Sequence, residues 1–233
     1  MSVPHSDQGK LQHKSTLYGK SVLNNNLDIF LPSSNKSNIL ILAGIHGDEP
    51  ESIVLLSEAL RSIPSEDLKN PVVLCANPDG TLHGTRANAN GVDLNRNFPT
   101  NDWTNKPVFY RVKSGEPQDI ELSTGAKPGS EPETKAIIKI INEIKPSSII
   151  SFHSALDCIE DPQNTDLGKW ISTKTGIPLV DDVGYPTPGS FGTWATENEF
   201  PLITFEVPPK PLTQMITDYV PTLVQLLCDL DLH

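Results

Sequence analysis

Residues 38–44 read NILILAG, a continuous apolar run of leucine and isoleucine closed by glycine. A strand with one wet face alternates apolar and polar residues, so an unbroken run predicts a strand buried on both faces. Directly after it, PESIVLLSEALRSI places Ile53, Leu56, Leu60 and Ile63 at helical spacing, with Pro50 suited to a first helical turn and Pro64 just past the end. A buried strand feeding a helix needs packed layers around a sheet, and this constrains the fold more than any other feature.

The alternation recurs. PVVLCAN (71–77) reads as a strand and EPETKAIIKIINEI (131–144) as a helix, with Ser130 and Glu133 spaced as a capping box. SSIISFH (147–153) and PLITFEV (201–207) follow as strands, an apolar helix runs from 212 to about 230, and 17–32, with NNN in its middle, fits an opening hairpin. The pattern predicts an α/β fold, a three-layer α/β/α sandwich over a largely parallel sheet. The 233 residues, 36% of them hydrophobic, suffice for one domain spanning 1–233. Residues 99–130, with several prolines and glycines and no clear period, are too long for a mere connector and form a candidate lid or rim.

A formal net charge of −11 with scattered lysines and arginines argues against a nucleic-acid partner. No N-terminal stretch could serve as a signal-peptide core, and no later run approaches the roughly 20 apolar residues of a membrane span, so a cytoplasmic protein is expected. The three cysteines, Cys75, Cys158 and Cys228, are far apart and odd in number, which fits reduced thiols.

In open α/β sheets ligands bind beyond the carboxyl ends of strands. The first buried strand runs into GIHGDEPE, which sets His46 and Glu49 on a tight Gly-flanked turn. Imidazole and carboxylate suit zinc, and a catalytic zinc site needs only three protein ligands because water takes the fourth position. Alone, such a pair could equally cap a helix and fill a turn. The strand SSIISFH, however, ends on His153, a third donor at the same sheet edge. PLITFEV brings Glu206 to that edge, where a carboxylate beside zinc-bound water can act as a general base. The polar excursion NPDGTLHGTRANANGVDLNRNFP (77–99) adds Arg86 and Arg96, which could bind a carboxylate or stabilise an oxyanion, or could pair with surface acids.

The chain resembles the carboxypeptidase A-like zinc metallopeptidases through HxxE at 46–49, NPDG at 77–80, GVDLNRNFP at 91–99, FHS at 152–154 and FEV at 205–207. The resemblance covers about residues 38–208 and implies a mixed sheet of about eight strands. It also implies His46, Glu49 and His153 as ligands of one zinc, Glu206 as general base, Arg86 as the group that polarises the scissile carbonyl, and Asn95 with Arg96 as the grip on a substrate carboxylate. Family carboxypeptidases carry a tyrosine upstream of the catalytic glutamate that closes over the substrate, whereas GSFGTWATENEFPLITFE has Trp194 and Thr196 in that stretch and no tyrosine. Tyr185 or the 99–130 segment could stand in for it.

The GIHGDEPE wording and the short chain are most similar to a bacterial branch of the family that hydrolyses the γ-D-glutamyl-meso-diaminopimelate bond of murein peptides. The expected partner is then a small murein peptide with a free carboxylate, a homodimer being left open, and Asp157, Asp181 and Asp182 are candidates for the remote ammonium of diaminopimelate. Ordinary carboxypeptidase activity is one alternative. Another is N-acyl amino acid hydrolysis, as in the succinylglutamate desuccinylase and aspartoacylase group, which shares a GxHGxE turn and a DLNR segment. That group lacks the NPDG kept here and carries an extra C-terminal β-rich region. A third is an inactive descendant that binds cell-wall peptides, against which stands the presence of all three ligands and the glutamate.

Overall fold

The computed structural model describes residues 9–10, 12–33, 39–112 and 118–228. The expected opening hairpin is present as β1 (Ser15–Lys20) and β2 (Asn26–Phe30), paired antiparallel. The first apolar run forms β3 (Ile39–Ala43), buried at all five positions, and leads into α1 (Pro50–Arg61); Asn38 lies outside the described residues. Next come β4 (Val72–Val73), α2 (Pro78–His83), the hairpin β5 (Val108–Val112) and β6 (Gln118–Leu122), and α3 (Pro132–Ile144). The chain continues through β7 (Ser148–Ser154), β8 (Cys158–Glu160), α4 (Asp166–Thr175), β9 (Leu179–Val180), α5 (Phe191–Glu197), β10 (Leu202–Val207) and α6 (Leu212–Cys228).

Eight strands form one mixed sheet in the order β1-β2-β4-β3-β7-β10-β8-β9. The centre, β4-β3-β7-β10, is parallel, whereas β8 runs antiparallel to β10. The reason β3 is apolar throughout is visible in its packing. Ile39, Ile41 and Ala43 face a core shared with α1, α4 and α6, while Leu40 and Leu42 face a second core with α3 and α5. Two apolar layers on opposite faces leave no polar position on the strand, and the α/β/α sandwich follows.

Several local expectations are corrected. The run 71–77 is regular strand only at Val72–Val73. It still follows the end of β3, with Ala76 N and Asn77 N donating to Ala43 O and Gly44 O, until the Asn77 side chain accepts from Gly80 N and caps α2. No capping box forms at 130–133. Glu131 is the N-cap residue and makes no side-chain cap bond; Ser130 Oγ donates to Glu131, and Glu133 accepts from Val22 N and Asn88 Nδ2 instead. The last helix is described to Cys228, so its expected end at 230 lies outside the described residues. Segment 99–130 contains the β5–β6 hairpin, whose period the sequence did not reveal.

Candidate metal centre and substrate cleft

The site grows from the carboxyl ends of the three central strands. After β3 the chain turns at Gly44, whose φ of +71° favours glycine. Gly47 then packs so closely on the neighbouring loop that a Cβ there would lie 2.1 Å from Gly80 C and 2.3 Å from Thr81 N. These two glycines bring His46 and Glu49 back over the sheet edge. On β7 and β10, His153 and Glu206 are direct parallel neighbours in register, so both project from the same face.

His46 Nδ1 lies 2.8 Å from Glu49 Oε1 and 3.1 Å from His153 Nδ1, and His153 Nδ1 lies 3.0 Å from Glu49 Oε2. One donor atom from each of the three falls within 4.8 Å of the others, and all three residues are buried. The remaining ring nitrogens are turned away: His46 Nε2 is 3.3 Å from Asp93 Oδ1, the separation of an ion pair rather than of an aligned hydrogen bond, and His153 Nε2 is 3.1 Å from Ser151 Oγ. An outer partner on one nitrogen with the other nitrogen aimed inward is how metal-binding imidazoles are oriented.

Electrostatics agree with the geometry. Burial acts to raise the Glu49 carboxyl, but His46 and His153 outweigh it and hold Glu49 well below the usual carboxylate range. Against burial and Arg86, which push it down, Glu49 and Asp93 raise the His46 imidazole to about 9. A buried cavity that stabilises its anion and its protonated imidazole asks for positive charge, and the donor set of two nitrogens and a carboxylate fits zinc.

Asp93, which the sequence reading passed over, is the hub of the site. Besides facing His46, it accepts from Arg86 Nε at 3.1 Å and from Asn95 N at 2.9 Å. Arg86 and His46 draw its carboxyl well down despite complete burial. Arg86 also donates to Glu49 Oε1 at 3.1 Å and lies 4.9 Å over the Tyr110 ring of β5. The signal for Asp93 was available: a carboxylate two residues before Asn95 in a loop that reaches a buried histidine is a natural outer-shell partner.

A cleft of about 710 Å³ opens in front of these groups, lined among others by His46, Glu49, Arg86, Asn95, Arg96 and Glu206. The seven residues to which the resemblance gives roles at the metal, the scissile bond and the substrate carboxylate therefore converge, six along the cleft lining and His153 buried beside Glu49 and His46. Glu206 is 8% exposed and accepts from Leu156 N at 3.4 Å. Burial raises its pKa, with His153 opposing and Glu49 adding to the rise. Asn95 Oδ1 accepts from Phe191 N at 2.8 Å, which leaves the amide nitrogen as the donor end, without a hydrogen bond among the described residues. Arg96 Nη1 donates to Asn95 O, and among the described residues Arg96 forms no ion pair.

The stretch searched for a capping tyrosine proves to be helix α5 and the start of β10. Trp194 is buried against Phe98, Phe191 and Phe200, while Thr196 lines the cleft. Tyr185, just upstream, also lines the cleft, half-exposed and within electrostatic range of Arg96. Asp157, Asp181 and Asp182 are exposed and absent from the cleft lining, whereas Glu160, which the sequence reading did not single out, is part of it.

No helix among the described residues is long and apolar enough to cross a membrane. Residues 9–164 match the model of the zinc carboxypeptidase family. Murein peptide amidase A of Escherichia coli K12 is 45% identical over 96% of this chain and 93% of its own length, and that of Vibrio campbellii 46% over 97% and 92%. The crystal structure of murein-tripeptide amidase from Escherichia coli O157 superposes with a TM-score of 0.92 at 44% identity, covering 98% of both chains. Carboxypeptidase A from Helicoverpa armigera, at 19% identity, covers 91% of this chain and 66% of its own with a TM-score of 0.69, and so shares the fold. Strand topology, convergent donors and similarity to the murein peptide amidases along nearly the full length agree: the chain belongs to the zinc carboxypeptidase family of metallopeptidases.

Proposed function

We propose that the chain is a zinc-dependent amidase that cleaves the bond between γ-D-glutamate and meso-diaminopimelate in murein peptides, with one zinc per chain held by His46, Glu49 and His153. The observation that carries this reading is the pairing of Arg96, a cleft cation with no ion-pair partner among the described residues, with the free donor end of Asn95. Together they offer a planar, charged grip for a carboxylate on the leaving side of the scissile bond. The near-full-length likeness to murein peptide amidases supplies the acyl side of the substrate.

When bound, zinc would lower the pKa of water toward about 7 and polarise a carbonyl. Glu206 takes a proton from the attacking water as its oxygen bonds to the carbonyl carbon. Arg86, fixed by Glu49 and Asp93, faces the oxygen on which negative charge develops. Glu206 then gives the proton to the departing amine nitrogen as the C–N bond breaks, so the products are a free carboxylate and diaminopimelate. No covalent intermediate with the protein is needed. A cytoplasmic setting, with murein peptides arriving from cell-wall recycling, suits a chain in which no disulfide joins its cysteines among the described residues.

Product analysis on a panel of γ-D-glutamyl peptides, ordinary C-terminal peptides and N-succinylglutamate, with and without chelator, tests the reading. The expected result is chelator-sensitive release of diaminopimelate from L-Ala-γ-D-Glu-meso-diaminopimelate. Faster turnover of N-succinylglutamate or of ordinary C-terminal peptides would overturn it.

A further inference from the structure

The cleft has an excess of carboxylates, and most of them are engaged. Glu49 contacts both histidines, Asp93 holds Arg86, Glu51 accepts from Ser154 Oγ, Glu197 accepts from Asn101 N and Glu206 accepts from Leu156 N. Glu160 lines the same cleft, half-buried, and among the described residues no hydrogen bond or ion pair engages its carboxylate. A half-buried carboxylate without a partner forgoes solvation and receives nothing in return. Such a group suits a ligand that brings a cation.

Strand register gives its location. β8 runs antiparallel to β10, with Cys158 opposite Glu206 and Glu160 opposite Thr204. Directly opposed residues project from the same face of a sheet, so Glu160 shares the cleft face with Thr204 and Glu206, and Leu202, Thr204 and Glu206 all line the cleft. Glu160 therefore lies one step deeper than the general base, about 7 Å along the strand from its level. That is the reach of an extended side chain of lysine length.

Arg96 lines the same cleft with no ion-pair partner among the described residues, and Gly189 packs so tightly on its backbone that a Cβ would come within 2.6 Å of Arg96 O. At the start of α5, Ser190, Gly192 and Thr193 line the cleft as well. Asp48, also on the lining, meets the Tyr110 hydroxyl although its Oδ1 is without a partner among the described residues; Arg96 and Glu160 thus face this space as an unpaired cation and an unpaired carboxylate.

We infer that Glu160 sets specificity for the leaving residue by binding an ammonium at the end of its side chain, while Arg96 takes its α-carboxylate. This deepens the function proposed above and rests on its placing of the leaving residue beside Asn95 and Arg96. The ligand class is an L-amino acid that carries an ammonium at the far end of its side chain, alone as in lysine or beside a carboxylate as in diaminopimelate, and it excludes isosteric residues without that charge such as norleucine.

The test is binding, which needs no turnover. Zinc-loaded protein is titrated calorimetrically with L-lysine, meso-diaminopimelate and L-norleucine, in wild type, Glu160→Gln and Glu160→Asp. Wild type should bind lysine and meso-diaminopimelate, the two ligands with a side-chain ammonium, about ten- to a hundredfold more tightly than norleucine. Glu160→Gln should bring all three to the norleucine level with zinc content unchanged, and Glu160→Asp should restore part of the difference. Equal weakening of all three ligands in Glu160→Gln, no change in any, or a wild type that binds norleucine as well as lysine or binds none of the three, would overturn the inference. Selective binding together with failure to cleave the γ-D-glutamyl tripeptide would defeat the proposed function and leave the assignment of Glu160 standing.

Discussion

Along the cleft His46, Glu49, His153 and Glu206 stand on or just beyond the ends of three adjacent strands and are 2%, 7%, 3% and 8% exposed, whereas Phe109 and Tyr185, elsewhere on its rim, are 70% and 54% exposed. The first group is fixed by a sheet packed on both faces and by Asp93 and Ser151 behind the histidines. The second belongs to the β5–β6 hairpin and to the loop before α5. Groups that hold a cation and move a proton need placement within fractions of an ångström, and rigid elements with supporting partners supply it. Groups that admit substrates of differing length need room, and loops supply that.

If the wall is the rigid catalytic half, its variants must lose most. Glu206→Gln should lower kcat by about 10²–10⁴-fold while zinc stays bound, whereas His46→Ala should lose the metal. The pH profile gives an independent check. Glu206 must be ionised to accept a proton, and burial raises its pKa, so kcat/KM should fall as pH drops through a value above the usual carboxylate range. In Glu206→Gln that acid limb should vanish. Wild-type turnover in this variant would remove Glu206 from the mechanism and with it the distinction drawn between the two sides.

Asp93→Asn probes the support behind the wall. It keeps the shape and the bond from Asn95 N but removes the charge that faces both His46 and Arg86. The expected loss is about 10–100-fold in zinc affinity or activity, the cost typical of an outer-shell partner, measured by competition with a chelator. An unchanged affinity would mean that the strands alone orient His46.

The same division explains what could be read from the chain. NILILAG, SSIISFH and PLITFEV announce buried strands because both faces must be apolar, so a histidine or glutamate closing such a run stands out. The fold and the convergence of His46, Glu49, His153 and Glu206 were legible for that reason. Strands β8 and β9 escaped because three- and two-residue elements show no period, and with β8 went Glu160. The β5–β6 hairpin escaped because VFYRV and QDIEL lie mostly at the surface, where no apolar alternation is required. Tyr185 could be named only as one of two stand-ins for the capping tyrosine, because it lies in a loop with no period to orient it, while Trp194 in the expected stretch belongs to the core. Asp157, Asp181 and Asp182 drew attention by charge alone, and charge without a strand register does not say which way a side chain faces.

The smallest effect is expected where the rim touches the wall. Tyr110, on β5, stacks on the Arg86 guanidinium, and burial together with Asp48 pushes its phenol up to about 12, so it stays neutral and contributes through its ring. A cation–π contact at this partly exposed position is worth about 0.5–1 kcal/mol, which corresponds to a loss of about two- to fivefold in kcat/KM for Tyr110→Leu. Tyr110→Phe keeps the ring and should remain near wild type. In an Arg86→Ala background the Tyr110→Leu effect should disappear, since the ring acts only through the guanidinium. A loss much beyond tenfold for Tyr110→Leu would make the hairpin as exacting as the strands, and the contrast between a rigid wall and an adaptable rim would have to be redrawn with β5 on the side of the wall.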